Sequence, residues 1–370
     1  MTSGFEPRPA GAAGIEWRAS GVGGLTARAA RSTTLGEVSL PVPLSVLDLA
    51  PIGEGQSVRE SLEGSVRLAQ RADELGYLRV WYAEHHNMDT IASSATAVLI
   101  AHVAAHTSRI RVGAGGIMLP NHAPLVIAEQ FGTLATLHPG RIDLGLGRAP
   151  GTDQHTLRAL RRDPRAADRF PQDVLELQGY LTGDTHVPHV HATPGRGTNV
   201  PLYILGSSLF GAQLAAMLGL PYAFASHFAP TALDDALAVY REQFRPSAQL
   251  ASPYVIAAVN VLAADDETEA HRQLKTRRVQ LARAIFSRPG RRLSAQEAEA
   301  VLDTPEGRAQ IDHMLTYTAV GTPDTVRGFL ADFQRRTNAD ELMTVHVAGT
   351  VESRVRSLEL VAETAGLTAA

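Results

Sequence analysis

The chain has 370 residues, no cysteine, and 34 Lys and Arg against 38 Asp and Glu, a net charge of −4. There is no basic excess for a nucleic-acid binder to use, and disulfides, thiolate metal sites and thiol nucleophiles are excluded. Lys275 is the only lysine and sits in RQLKTRR with no glycine loop before it, which disfavours Schiff-base and P-loop chemistry. No apolar run approaches the roughly 18 residues of a membrane span, and the first 16 residues lack a charged start leading into an apolar core. The expected location is the cytoplasm.

Residues 1–40 hold seven Gly, seven Ala and two Pro with little apolar periodicity. Such a segment buries too little to offset its ordering entropy, so it reads as a disordered tail, with the folded domain over 41–370. LSVLDLA (44–50) then reads as a buried strand stopped by Pro51 and Gly53. Residues 58–76 have apolar positions at helical spacing and stop at Gly76, a C-cap signal. The next strands are LRVWYAEHH (78–86), RIRVGAGGIML (109–119) and RIDLGLG (141–147), separated by helices over 94–107 and 124–138. After a helix over 168–182 and an irregular stretch to Asn199, PLYILG (201–206), YAFASHF (222–228) and YVIAAVNVLAA (254–264) read as strands, with helices over 209–219 and 231–245. Helical patterns fill 266–284, 294–303 and 305–316. Pro323 opens another helix, ELMTVHV (341–347) is the last strand, and 351–364 the last helix.

Eight near-continuous apolar strands alternating with helices predict a parallel sheet covered on both faces. Over ~330 residues this fits a closed (β/α)8 TIM barrel better than a doubly wound sheet. The excess length lies in 183–200 and 265–320. A barrel puts its chemistry at the C-terminal ends of its strands.

Those ends carry the unusual residues. Strand two ends in Ala83-Glu84-His85-His86-Asn87, where His85 titrates near neutrality beside an acid. Strand three carries Gly115-Gly116, a backbone without side chains on which a flat ring can lie. Strand four ends in Gly147-Arg148-Ala149-Pro150-Gly151, an arginine in a tight turn that suits a phosphate. Strand five ends in Ser207-Ser208 at a helix start, a second set of anion donors. Strand six ends in Ser226-His227. Together these suggest a flat, phosphate-bearing cofactor with a histidine beside it. Singly, each has a plainer reading: a solvated arginine, a serine cap, a bulge, a chance pair of histidines. His85 and His86 are adjacent and point to opposite sides of a strand, so they do not chelate jointly. His186, His189 and His191 have a spacing that suits a metal, yet only Asp184 is near, and no metal is expected.

The segments WYAEHHN (81–87), VGAGGIMLPNHAPLVIAEQFGTL (112–134), PGRIDLGLGRAPGTD (139–153) and VGTPDTVRGFL (320–330) resemble the bacterial luciferase-like flavin monooxygenase family, in its single-chain alkanal-monooxygenase-like branch. The resemblance covers about 43–370 and implies a TIM barrel with an insertion after strand seven. It implies FMN, reduced by a separate NAD(P)H-dependent flavin reductase, using O2 to oxidise an aldehyde, ketone or similar small molecule. Carried over by position, Arg148, Ser207 and Ser208 hold the phosphate. Gly115-Gly116 matches a non-proline cis peptide under the flavin ring. Ala50 and Glu84 line the flavin, His85 is the catalytic histidine, and His86 and His227 face the substrate. His227 stands where luciferase has an aromatic residue, and Gly147 where it has a reactive cysteine. A homodimer is expected by analogy. Two other readings remain open on the same barrel: a hydride-transferring enzyme using coenzyme F420, and a non-catalytic flavin-binding protein.

Overall fold

The computed structural model describes residues 40–149, 153–287 and 291–368. Residues 1–39 of the expected tail lie outside the described residues, whereas Leu40, its last residue, is buried against the core. The first half of the described chain runs β1 (Leu44–Asp48), α1 (Val58–Leu75), β2 (Arg79–Tyr82), α2 (Thr96–Ala105), β3 (Arg111–Met118), α3 (Pro124–Leu137), β4 (Ile142–Gly147), α4 (Gln154–Ala159) and α5 (Phe170–Thr182). It continues with β5 (Leu202–Gly206), α6 (Leu209–Leu218), β6 (Tyr222–Phe224), α7 (Leu233–Gln243), β7 (Val255–Ala263), α8 (Glu267–Phe286), α9 (Ala295–Asp303), α10 (Pro305–Met314), β8 (Thr318–Gly321), α11 (Pro323–Thr337), β9 (Glu341–His346) and α12 (Val351–Ala365).

Strands β1 to β7 follow one another in parallel, and β9 closes the ring by pairing with both β7 and β1. This is the expected eight-stranded TIM barrel. The ninth strand, β8, is not among the expected ones. It lies outside the ring, paired to the last residues of β7 from Asn260 to Ala263. Helices α8 to α10 and β8 together form the expected insertion after strand seven. The expected second and sixth strands run too long: pairing ends at Tyr82 and Phe224, and the residues beyond them are loops at the mouth. Among the described residues, no helix is long and apolar enough to cross a membrane.

Local signals set the element ends. Ser57 and Glu60 form a capping box at the start of α1, and Gly76 closes it in the left-handed conformation at φ 86°. A cap of this kind is worth ~1 kcal/mol. Alternate residues along the strands divide the core. Leu47, Trp81, Ile256, Ala258, Met343 and Val345 point into the barrel, and Val46, Val80, Ile204, Val255 and Leu342 point out under the helices. Each such side chain contributes ~1.5–3 kcal/mol when fully buried.

The floor of the barrel is charged. Arg79 bonds Glu341 through Nε and Nη2 at 2.9 and 3.0 Å, and Asp143 and the Tyr203 hydroxyl through Nη1 at 2.7 and 2.8 Å. Arg111 also pairs with Asp143, Trp81 Nε1 donates to it at 3.1 Å, and the Tyr254 hydroxyl donates to Glu341. Two arginines face two carboxylates, so the cluster is neutral. Buried charges persist only when paired and hydrogen-bonded in this way. The network shuts the N-terminal end, and the cavity lies at the other.

Candidate active site at the mouth of the barrel

A cavity of about 1490 Å³ occupies the C-terminal ends of the strands. Seven of the ten residues singled out in the sequence line it: His85, Gly115, Gly116, Arg148, Ser207, Ser208 and His227. Ala50, Glu84 and His86 do not line it. Its far side is formed by the insertion, with Arg277, Leu281, Met314 and Leu315.

The Gly115–Gly116 peptide is cis, and the pairing of β3 with β4 shifts register between Ala114 and Ile117. A Cβ on Gly115 would stand 2.9 Å from both Leu47 Cδ1 and Trp81 Cβ, and one on Gly116 2.8 Å from the Gly145 carbonyl oxygen. The packing of the barrel wall by itself therefore demands glycine at both positions. The sequence reading reached the same residues through a ring lying on bare backbone, which is a different cause.

Arg148 leaves β4 with little to hold it. Its Nε reaches the Ala167 carbonyl at 3.3 Å, its nearest acid is the exposed Asp168 at 3.8 Å, and its guanidinium lies 4.2 Å over the Phe210 ring. Ser208 is the N-cap of α6, and its side chain makes no capping bond. Free hydroxyls, open N–H groups of a ten-residue helix and an arginine fork thus converge on one part of the cavity. That donor set suits an anion such as a phosphate.

His85 and His227 bring the titratable chemistry. Each has a buried Nδ1 without a hydrogen-bond partner. Burial lowers the pKa of His85, against an opposing pull from Glu84. Burial, with the nearby charges of Arg277 and His85, lowers that of His227 to about 3. Both rings are neutral at pH 7 and have an unused nitrogen to offer a bound molecule.

Glu84 and His86 stand behind the cavity wall and bond one another. Glu84 is buried, and its Oε1 lies 2.8 Å from Nε2 of both His86 and His122. Its Oε2 accepts from the Met118 backbone N–H at 3.0 Å. The carboxylate thus ties the loop after β2 to the end of β3, and turns His86 away from the cavity while His85 faces it. Although burial opposes ionisation, these bonds lower its pKa to about 2, and Glu84 raises that of His86. The ligand atoms of Glu84, His86 and His122 lie within 4.8 Å of one another, a cluster the sequence reading missed. It is closed by its own hydrogen bonds. His186, His189 and His191 form no such group among the described residues. Ala50 is fully buried with a positive φ of 47°. Asp48 Oδ1 holds its N–H and Ser61 Oγ its carbonyl, so its backbone shapes the loop after β1.

Comparison with known proteins agrees with this architecture. The family model described as luciferase-like monooxygenase matches residues 42–339. The chain belongs to the luciferase-like monooxygenase family. It is 47% identical over 320 residues to a luciferase-like monooxygenase of Escherichia coli (strain K12), covering 86% of this chain and 96% of that one. It is 41% identical over 189 residues to the N-acetyl-S-alkylcysteine monooxygenase of Bacillus subtilis (strain 168), covering 50% and 57%. Among solved structures, apo-MsnO8 superposes with a TM-score of 0.80 at 38% identity, over 88% of this chain and 99% of that one. At the level of the fold alone, two remoter structures are similar with TM-scores of 0.66. One is the oxygenating constituent of 3,6-diketocamphane monooxygenase in complex with FMN, from a Pseudomonas putida plasmid, at 17% identity over 88% and 98% of the chains. The other is an F420-dependent secondary alcohol dehydrogenase, at 14% identity over 88% and 99%.

Proposed function

We propose that this protein is a two-component flavin monooxygenase. It takes reduced FMN from a separate NAD(P)H-dependent reductase and uses O2 to oxidise a small organic substrate of the aldehyde or ketone type. The observation that carries this reading is the meeting of two sets in one cavity: the anion donors Arg148, Ser207 and Ser208, and the imidazole of His85 with its buried, unpartnered Nδ1. When bound, the flavin supplies the electrons that activate oxygen.

The protein's own part is binding, orientation and proton control. Arg148 and the N-terminus of α6 hold the phosphate and so fix one end of the flavin. The Gly115–Gly116 wall sets the face against which the ring rests. His85, neutral at pH 7, takes or returns a proton at its free Nδ1. Leu281, Met314 and Leu315 of the insertion, with Leu47 and Met343 from the barrel, keep water from the reacting atoms. A homodimer belongs to the same reading, and Val98 of α2 and Leu137 of α3, 70% and 67% exposed, are apolar side chains that such a contact would cover.

The test is equilibrium binding of FMN and of coenzyme F420 to the purified chain, followed by oxygen uptake with reduced FMN and an aldehyde panel. FMN binding and aldehyde-dependent uptake are expected. Tight F420 binding without FMN binding would overturn the reading, and FMN binding without turnover of any substrate would assign a non-catalytic role.

A further inference from the structure

Helix α8 is rich in arginine, and most of its arginines have acids. Arg272 pairs with Glu269, Arg278 with Asp312 at 2.6 Å, and Arg283 with Glu54 at 3.6 Å. Arg277 differs from all three. It lines the cavity together with Gln280, Leu281 and Ala284, the neighbours one helical turn and two along the same face. Its Nε is sealed from solvent and has no hydrogen-bond partner. Among the described residues no carboxylate pairs with it, and desolvation alone lowers its pKa to about 10. Even so, it remains a cation at pH 7.

Arg277 is half-buried, and a guanidinium whose Nε is shut off from water without a partner or counter-charge carries a cost that an anionic ligand would remove. The other cation at the cavity wall with a clear anion role, Arg148, comes from the loop after β4, whereas Arg277 comes from the insertion after β7. Arg277 lies instead beside His227, close enough for its charge to lower the pKa of that ring. His227 and His85 line the same cavity, close enough for protonation of one to disfavour protonation of the other. One side of the cavity thus presents, in order, a free cation, a neutral imidazole and the proposed catalytic histidine.

We infer that Arg277 is the docking point for the acid end of the substrate, so that the substrate is an organic carboxylate whose oxidised atom lies further along, towards His85. The planar fork of a guanidinium matches a carboxylate in two parallel hydrogen bonds. The word substrate rests on the monooxygenase reading, but the acid site itself is measurable without turnover.

The test uses the full chain and straight-chain carboxylates from butanoate to dodecanoate, each with the primary amide of equal length. Calorimetry gives their affinities for the flavin-free protein, and the visible spectrum of added FMN reports them for the complex. At least one acid is expected to bind the wild type tenfold or more tighter than its amide. Arg277→Gln should weaken that acid ten- to a hundredfold and abolish the preference, and Arg277→Lys should restore part of it. Arg277→Met keeps the stem and removes a cation without a counter-charge, so its unfolding midpoint should be no lower than that of the wild type. Equal affinity for acid and amide in the wild type, an acid preference that survives in Arg277→Gln, or a lower midpoint in Arg277→Met overturns the inference. So does a loss of FMN affinity in Arg277→Gln with acid binding unchanged, which would give the guanidinium to the flavin. A chain that binds acids through Arg277 but not FMN would instead sink the proposed function and leave the acid site standing.

Discussion

The carboxylate of Glu84 lies 2.8 Å from Nε2 of His122, 38 residues further along the chain, and this contact turns the loop after β2 so that His85 meets the cavity. Glu84→Gln removes an ionised group that two imidazoles and a backbone N–H share. It should cost roughly 3 kcal/mol of unfolding free energy at pH 7, the scale of losing one partner of a buried charged network. The wild-type pKa of about 2 is below the ordinary 4.5. The stabilisation by Glu84 is therefore complete above about 4.5 and lost as pH falls towards 2. His86 runs the other way: its raised pKa adds stability that is complete below 6.5 and lost as pH climbs through the raised value. Denaturant unfolding at a series of pH values should show both slopes reduced in the variant, the acid slope remaining in part because Asp73 and Asp143 also have lowered pKa values.

His85→Ala should leave FMN affinity nearly unchanged and lower turnover by roughly 10²–10⁴, the usual range for an acid–base group. Because burial lowers the His85 pKa, the acid limb of kcat/KM should lie below pH 6.5 and disappear in the variant. Steady-state rates between pH 5 and 9 decide this, and unchanged turnover would remove His85 from the chemistry.

Arg148→Ala should weaken FMN by about 1.5–3 kcal/mol, the range of a charge-assisted bond, or roughly ten- to 150-fold in Kd. Riboflavin lacks the phosphate and should bind wild type and variant alike. Fluorescence titration with the two flavins separates a phosphate contact from a general loss of the site.

Arg79→Met tests the floor. The change leaves Glu341 buried with only the Tyr254 hydroxyl, and leaves Asp143 with Arg111 as its sole cation. A loss of about 3–5 kcal/mol is expected on unfolding, with kcat of the folded fraction unchanged because the cavity is at the other end. A fall in kcat without a fall in stability would contradict that separation.

Much of this was legible in the sequence, for physical reasons. Strands with both faces buried read as apolar runs, and helix stops such as Gly76 announce themselves. β8 escaped because Thr318–Gly321 is only four residues long and sits between helical patterns. The ends of β2 and β6 were overrun because Ala83 and Ala225 continue the apolar pattern past the last paired residue. The charged floor escaped because its members stand singly at strand starts, in RVWY, RIDLG and ELMTVH, and their partners are 64 and 262 residues away. Arg277 was hidden among the other arginines of α8. That one member of such a series lacks an acid partner is a tertiary fact. Glu84 and His86 were assigned to the cavity by position alone, and the direction of a side chain in a loop is set by partners such as His122 that spacing cannot reveal.

The insertion between β7 and α11 has one further implication. The residues proposed to hold the flavin come from separate strands of a closed ring, and moving any of them disturbs its neighbours. The described residues on the far side of the cavity that face them, Arg277, Leu281, Met314 and Leu315, all come from the one insertion between β7 and α11. On the proposed function, exchange of that insertion for another would change the substrate wall and leave the proposed flavin contacts in place. Diversity of diet on a constant engine is what such an arrangement permits, and grafting this insertion between relatives is the natural way to redesign one.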